Sequence, residues 1–279
     1  MTTIAPVFDR PGLVDRLSMV VSDSLTIAKR GIIKIRRVPD VLIFSTLSPI
    51  MFVLLFAYIF GAGIDVPGGY REFLIAGIFA QTVVFGASFT GSALAEDMQK
   101  GIIDRFRSLP MAPSAVLIGR TLSDVVINVV SLTVMSLTGL VVGWRIRGSL
   151  LDAVLAYVLL LLFAYAVSWV MAYVGLLVRA PEVFNNASFI VVFPLTFIGN
   201  TFVPSEKLPT VLRVIAEWNP VSALTQASRD LFGNTSALSP APTAWSLRNP
   251  EVTTLIWVVV IMVVFVPLAV SQYKKTVSR

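Results

Sequence analysis

Apolar residues in this chain gather into six long runs that are separated by more polar segments. Each run is close to the roughly 20 residues that an α-helix needs to cross the hydrocarbon core of a bilayer. The pattern therefore predicts six membrane-spanning helices within a single domain. The predicted spans are residues 41–60, 73–95, 116–142, 150–178, 184–203 and 253–270.

Before the first run, residues 13–38 place apolar side chains at helical spacing along one face, among them Leu17, Val21 and Leu25. Basic residues gather toward the end of the same segment. A helix of this kind lies in the headgroup layer, where its cations meet anionic lipid. We therefore predict an N-terminal amphipathic interfacial helix. The alternative is a helix surrounded by water, and the continuous apolar face argues against it.

A second amphipathic segment, residues 96–109, joins the second and third predicted spans. Its apolar residues fall on one helical face, and Pro110 ends the helix. Membrane spans hold the segment at both ends. Another protein that contacts its apolar residues Ile102 and Phe106 could therefore move the segment and the spans attached to it. Periodicity alone leaves a second interpretation open, an ordinary loop resting on lipid headgroups. The residues of the apolar face are Met98, Ile102, Phe106 and Leu109.

The longest polar connection, residues 204–252, contains two further helical patterns. The first ends at Trp218, and the pair Asn219-Pro220 separates it from the second. We expect two short re-entrant helices that dip into the outer leaflet, with Trp218 at interface depth. The remainder, rich in Ser, Pro and Ala, is predicted to be an extracellular loop.

Composition agrees with a membrane protein. Hydrophobic residues make up 56% of the 279 residues and charged residues only 14%, whereas soluble domains carry about 25% charged residues. The fold class predicted is therefore an all-α integral membrane protein. Cysteine and histidine are both absent, which excludes disulfides, thiol nucleophiles and the commonest general base and metal ligand.

The 22 lysines and arginines are distributed unevenly. Most lie before the first span, between residues 96 and 120, or in the C-terminal tail. Positively charged loops stay in the cytoplasm, so both termini and the 96–109 segment are predicted to be cytoplasmic. The net charge of +6 then reports topology rather than nucleic-acid binding.

One group of polar residues lies near the predicted cytoplasmic start of the third span. Arg120, Asp124 and Asn128 are spaced four residues apart and share one helical face. Ionisable residues within a span are functional candidates, and Arg120 can pair with Asp124. We favour a brace that locks the third span to the 96–109 helix. A polar vestibule on the substrate path and a purely structural contact remain open, and a proton relay is disfavoured.

The stretch from Glu96 to Pro113, EDMQKGIIDRFRSLPMAP, followed by Gly119-Arg-Thr-Leu-Ser-Asp124, resembles the motif region of type-2 ABC exporter permeases. The similarity is closest to the daunorubicin-resistance permease group of actinobacteria. It extends upstream through residues 34–52 and downstream to Asn219-Pro220 and Arg229. Nearly the whole chain is therefore covered.

The resemblance implies a six-helix transmembrane domain that works with a second permease copy, identical or not, and with two separate ATPase subunits. Residues 96–109 would be the coupling helix, seated in a groove of the ATPase, and residues 13–38 the elbow helix. ATP and magnesium would be bound by the ATPase subunit, because this chain has no Gly-x-x-x-x-Gly-Lys-Ser/Thr phosphate loop and needs no cofactor of its own. The coupling residues would be Glu96, Gly101, Ile102, Arg105, Phe106, Leu109 and Pro110.

The function expected is that of the permease subunit of an ATP-driven exporter in the bacterial plasma membrane, without an enzymatic site of its own. Its substrate would be a hydrophobic or amphipathic compound, either a drug or a lipid-like metabolite. A polysaccharide or lipid-linked glycan is the alternative within the same machinery. An ion-coupled secondary transporter is a different class, disfavoured because ionisable residues are not found near the middle of the spans.

Overall fold

The computed structural model describes residues 13–37, 40–60, 66, 68–103, 113–178, 180–236, 238 and 241–277, and all regular structure in these ranges is helical. We number the helices in chain order. A π-helical turn, Phe56–Phe60, extends α2, and a 3₁₀ turn, Ser205–Lys207, precedes α7. The helices are α1 Leu13–Arg37, α2 Asp40–Leu55, α3 Tyr70–Gln99, α4 Pro113–Val142, α5 Leu150–Leu177, α6 Pro181–Phe197, α7 Thr210–Trp218, α8 Pro220–Leu231, α9 Trp245–Arg248 and α10 Pro250–Val277.

Each predicted span overlaps one helix. Among the described residues, four helices are long and apolar enough to cross a membrane, namely α3, α4, α5 and α10. The other two apolar helices are shorter, 16 residues in α2 and 17 in α6, and each contains an internal proline, Pro49 and Pro194. The count of six spans therefore stays a prediction, because membrane crossing by α2 and α6 would depend on the turns that extend them.

Helix α3 is the centre of the bundle. Every residue from Leu74 to Val84 is buried, and α3 packs against α4, α5 and α6. Small residues allow this because they let helix backbones approach closely. A Cβ atom on Gly175 of α5, for example, would lie only 2.7 Å from the Cα of Gly91.

Helices α5 and α10 pack together and present apolar side chains outward. On α10 the exposed residues include Val259 and Val263, and on α5 they include Leu155 and Val158. In water such a surface would be costly, whereas lipid solvates it. The exposed apolar surface is thus what a membrane-embedded bundle requires.

The bundle has two ends that differ in structure. The α1 end brings together α1, the end of α3 and the start of α4. The α8 end holds α7, α8, α9 and the start of α3. There, Trp144, Phe79 and Phe232 contact one another edge to face, and the Trp144 indole Nε1 donates a 2.7 Å hydrogen bond to Asn234 Oδ1.

The two short helices of the α8 end have different surroundings. Helix α7 exposes apolar residues such as Val211, Ile215 and Trp218, whereas nearly all of α8 from Val221 to Arg229 is buried against other helices. Helix α8 is therefore a core element, which was not expected of a helix that dips into lipid. An amphipathic pattern does not say whether lipid or protein covers the apolar face.

Candidate functional site

The α1 end carries the segment that resembles a coupling helix. The prediction that a separate helix starts at Glu96 is wrong, because α3 continues without a break to Gln99. The chain turns at Gly101, whose φ of 64° lies in the region that favours glycine. Helical backbone resumes at Ile102 and Ile103. Arg105, Phe106, Leu109 and Pro110 lie outside the described residues.

Polar interactions stabilise the last turn of α3. The Lys100 ammonium donates a hydrogen bond to Glu96 Oε1 one turn earlier. This hydrogen bond and the charge of Glu96 raise the pKa of Lys100 above its usual value. Charged residues thus extend α3 beyond its apolar part, which explains why the end of the hydrophobic run did not mark the end of the helix.

The apolar contact at this turn is made by Ile103. Its side chain is 3% exposed and belongs to a buried cluster with Leu94 and Val116. Ile102, predicted as part of the apolar knob, is only half-buried. It lines a cavity of about 250 Å³ together with Arg30. The helical spacing counted from Met98 missed Ile103 because the break at Gly101 changes the register.

Helix α1 lies directly on the start of α4. A Cβ atom on Gly119 would stand 2.6 Å from the carbonyl oxygen of Ser24 and 2.7 Å from Ile27 Cβ, so this position has no room for a side chain. One turn later, Ser123 Oγ donates a 3.2 Å hydrogen bond to the carbonyl of Ala28. Helix α1, which the resemblance predicts to be the elbow helix, is therefore attached to α4 by close packing.

The structure brings Arg120 and Asp124 together, as predicted. Asp124 is completely buried and accepts a hydrogen bond from Thr90 Oγ1 of α3, while Arg120 Nη2 lies 3.6 Å from its Oδ1. Arg120 Nη2 also approaches the carbonyl of Phe89 at 3.4 Å. These contacts connect α4 to the body of α3, whereas the predicted brace connected it to the 96–109 segment.

Asn128 continues this polar row. Its Nδ2 donates a 3.0 Å hydrogen bond to the backbone carbonyl of Asp124 within α4. Its Oδ1 faces Gly86 of α3, where a Cβ atom would collide with it, and has no hydrogen-bond partner among the described residues. Asn128 thus lies in the interface between α3 and α4.

A lateral cavity of about 500 Å³ lies between α2, α3 and α6. Its wall combines aromatic rings with neutral polar groups, and none of the lining residues carries an ionisable side chain. Such a cavity suits an apolar or aromatic molecule with a few hydrogen-bonding groups. The lining residues include Phe52, Phe85, Phe89, Phe189, Gln81 and Asn185.

A family model described as ABC-2 type transporter matches residues 23–232, which run from α1 through α8. The chain belongs to the ABC-2 type transporter family. The resemblance to type-2 ABC exporter permeases is thereby confirmed. Membership also agrees with the apolar helices, since this is a family of membrane proteins, and it makes the chain a permease.

Two relatives are similar to this chain over most of its length. The daunorubicin resistance ABC transporter permease protein DrrB1 of Streptomyces coeruleorubidus is 37% identical over 217 residues, which cover 77% of both chains. The putative transport permease ycf38 of Cyanophora paradoxa is 21% identical over 223 residues, covering 78% of this chain and 77% of the relative.

The α8 end of this ABC-2 permease contains a buried arginine. Arg229 is 2% exposed and donates from Nε to the carbonyl of Phe73, at 2.8 Å, and from Nη2 to the carbonyl of Asn200. Its guanidinium lies 3.5 Å from the centre of the Phe73 ring. Burial lowers the pKa of Arg229 to about 9, which still leaves it charged at neutral pH. In the sequence, Arg229 belongs to the region of the resemblance, and no local pattern indicates its burial.

Proposed function

We propose that this ABC-2 permease moves a hydrophobic or amphipathic compound, a drug or a lipid-like metabolite, out across the bacterial plasma membrane. The lateral cavity between α2, α3 and α6 is the observation that carries this proposal. Its volume of about 500 Å³ falls in the range of roughly 300–1,000 Å³ that drug-sized ligands occupy. The drug-resistance name of the relative from Streptomyces coeruleorubidus points in the same direction.

The chemistry of the wall argues for this substrate class over the glycan alternative. Rings such as Phe85, Phe89 and Phe189 supply apolar faces, while Gln81 and Asn185 supply a small number of hydrogen-bonding groups. A polysaccharide presents hydroxyl groups along its whole length, and each must be hydrogen-bonded when it leaves water. A planar aromatic compound with a few polar groups fits the wall better.

Energy for transport comes from a separate ABC ATPase subunit, which binds ATP and magnesium. The coupling residues of the 96–110 segment receive the motion of that subunit. Because α3 is one continuous helix from Tyr70 to Gln99, motion at residues 96–103 is passed to the Gln81–Phe89 part of the cavity wall. Helix α4 moves together with α3, because Asp124 accepts a hydrogen bond from Thr90 of α3 and Arg120 lies beside Asp124.

The assembled transporter contains a second permease copy, identical or homologous, and both termini of each copy are cytoplasmic. The single domain crosses the membrane six times, with α1 as the elbow helix and residues 204–252 outside the cell. The exposed apolar residues of α2 and α6, among them Met51 and Ile190, give these helices surfaces for lipid or for the second copy.

The test is export from inverted membrane vesicles that contain the permease and its ATPase, with daunorubicin as the probe. We expect accumulation that requires ATP and stops when the Walker lysine of the ATPase is replaced. Uptake that continues without ATP but stops when the proton gradient is dissipated would show a secondary transporter instead. ATP-dependent movement of a lipid-linked glycan without any drug movement would favour the alternative substrate.

A further inference from the structure

A second cavity, of about 310 Å³, lies at the α8 end, away from the lateral cavity. It is lined by Val66 and the start of α3, by α8, by residues 200–207, by residues 234–236 and by residues 241–247. Its volume is far larger than the roughly 10–15 Å³ that one water needs. The polar part of its wall is formed by Asn200, Glu206, Lys207, Gln226, Arg229 and Thr235.

The buried charge on this wall belongs to Arg229. Its guanidinium is buried, yet it takes part in none of the ion pairs found in the described part of the chain. Its hydrogen bonds go to backbone carbonyls, which carry no net charge. The negative charges of Asp230 and Glu206 favour the charged form of Arg229 without contacting it, because Asp230 Oδ1 accepts its hydrogen bonds from Gln226 and Thr235. Buried charges normally have a partner of opposite charge.

Two further charged residues on the wall cancel each other. Glu206 and Lys207 are adjacent in the 3₁₀ turn and both are exposed to solvent. Arg229 is therefore the one buried charge on the wall, and no carboxylate in the described part of the chain pairs with it directly. A cation in the cavity would stand beside the Arg229 guanidinium, so the cavity is better suited to an anion.

The cavity wall also has unused hydrogen-bonding capacity. Arg229 Nη1 and Asn200 Oδ1 are buried and have no hydrogen-bond partner among the residues that the structure describes. Most buried polar atoms in folded proteins have a partner. Arg229 Nη1 can donate to an anionic oxygen in the cavity, whereas Asn200 Oδ1 can only accept and would be completed by a hydroxyl group or a water.

We propose that this cavity binds a small anion, through a carboxylate or phosphate oxygen that is held by Arg229. The anion places a negative charge in direct contact with the guanidinium, which also bonds the Phe73 carbonyl, and so joins the start of α3 to α8. Its source is either a free anion in the medium or the headgroup of an anionic lipid. The site is separate from the lateral cavity and does not depend on which compound is exported.

The experiment measures the thermal unfolding midpoint of the purified permease against the concentration of inorganic phosphate, with ionic strength kept constant by sodium chloride. Wild type is expected to gain stability in a saturable manner.

Lys207→Gln should raise the half-saturating phosphate concentration about two- to fivefold, and Glu206→Gln should lower it by a similar factor, because each changes one charge near the site. Both side chains are exposed, so folding should be unaffected. Lys274→Gln, at the far end of α10, is the control and should behave like wild type.

A second series distinguishes the two sources of the anion. The permease is placed in nanodiscs of phosphatidylcholine alone or with phosphatidylglycerol. If the anion comes from the medium, phosphate stabilises the protein equally in both. If it comes from lipid, phosphatidylglycerol raises the midpoint and removes the response to phosphate. The proposal is overturned if neither phosphate nor anionic lipid stabilises the protein, or if Lys207→Gln, Glu206→Gln and the control respond alike.

Discussion

At the scale of single residues, Asp124 shows how a polar group can be buried inside an apolar bundle. Thr90 donates a hydrogen bond to it and Arg120 lies at ion-pair distance. The Arg120 side chain keeps 18% of its surface exposed. Solvent therefore stabilises part of the Arg120 charge, and Asp124 stabilises the rest. Removing one partner of a buried pair generally costs more than the pair contributes, because the other charge is left unbalanced.

Replacing Asp124 with Asn tests the role of its charge. The amide keeps an acceptor for Thr90 but leaves Arg120 without a counter-charge. We expect the free energy of unfolding to fall by about 1–3 kcal/mol, measured by titration with sodium dodecyl sulfate in mixed micelles. Glu182→Gln, an exposed carboxylate at the start of α6, is the matched control and should change it by less than about 0.5 kcal/mol. Equal stability of the two variants would show that Arg120 and Asp124 are not coupled.

Phe189 provides a test of the lateral cavity. Its ring lines the cavity, yet the residue is 54% exposed, so truncation should cost little stability. An aromatic contact contributes about 0.5–1.5 kcal/mol, so Phe189→Ala should raise the KM for daunorubicin about two- to tenfold with ATP hydrolysis maintained. Ile190→Ala is the control, since Ile190 is a neighbour on α6 with 71% exposure and is not part of the wall. Identical KM values in the two variants would place the substrate elsewhere.

At the scale of helices, much of the fold could be predicted from the sequence because a bilayer requires long apolar runs. The six runs all correspond to helices, and α1 was located from its periodicity. The end of α3 was misplaced because the prediction followed hydropathy, while the helix continues through the charged residues Glu96 and Asp97. Helix α3 ends where the backbone turns at Gly101, and a hydropathy pattern carries no information about backbone conformation.

The polar contacts of the candidate site were only partly predictable. Arg120 and Asp124 share one helix, so their spacing of four residues is enough to place them together. Thr90 lies 34 residues from Asp124 in the chain, and no local pattern connects the two. The burial of α8 and of Arg229 was missed for the same reason, since it depends on packing between distant segments.

The contact between α1 and α4 can be tested at Gly119. Gly119→Ala adds a methyl group that collides with Ser24 and Ile27 of α1, which should cost about 1–3 kcal/mol and loosen the attachment of α1. If α1 moves together with α4 during transport, the variant should export less substrate for each ATP hydrolysed. The measurement is the ratio of the transport rate to the ATPase rate in reconstituted vesicles.

The matched control for this variant is Gly139→Ala in the same helix. There the nearest neighbour of the new methyl group is the Trp144 ring at 3.2 Å, and alanine favours the helix by about 1 kcal/mol over glycine. The ratio of transport to ATP hydrolysis in Gly139→Ala should stay near that of wild type. If Gly119→Ala also keeps the wild-type ratio while lowering stability, the contact serves folding alone.

At the scale of the whole molecule, the distribution of basic residues favours one orientation in the membrane. Among the described residues, Lys29 and Arg30 of α1 and Lys274 and Lys275 of α10 fall with the α1 end, where α3 stops at Gln99 and Lys100 is exposed. The α8 end contains the cavity around Arg229. If positive charge stays inside, the α1 end meets the ATPase and the α8 end faces the exterior.

Labelling of single cysteines tests this orientation directly, because the chain contains no cysteine of its own. Lys100→Cys and Leu238→Cys place one thiol at each end, at side chains that the structure shows to be exposed. A maleimide that does not cross membranes should label Leu238→Cys in intact cells and should label Lys100→Cys only after permeabilisation. Leu150→Cys, 83% exposed at the start of α5, should follow Leu238→Cys, since an odd number of spans separates Lys100 from Leu150. Labelling of Lys100→Cys from outside would reverse the orientation and would remove the 96–109 segment from the reach of any cytoplasmic ATPase.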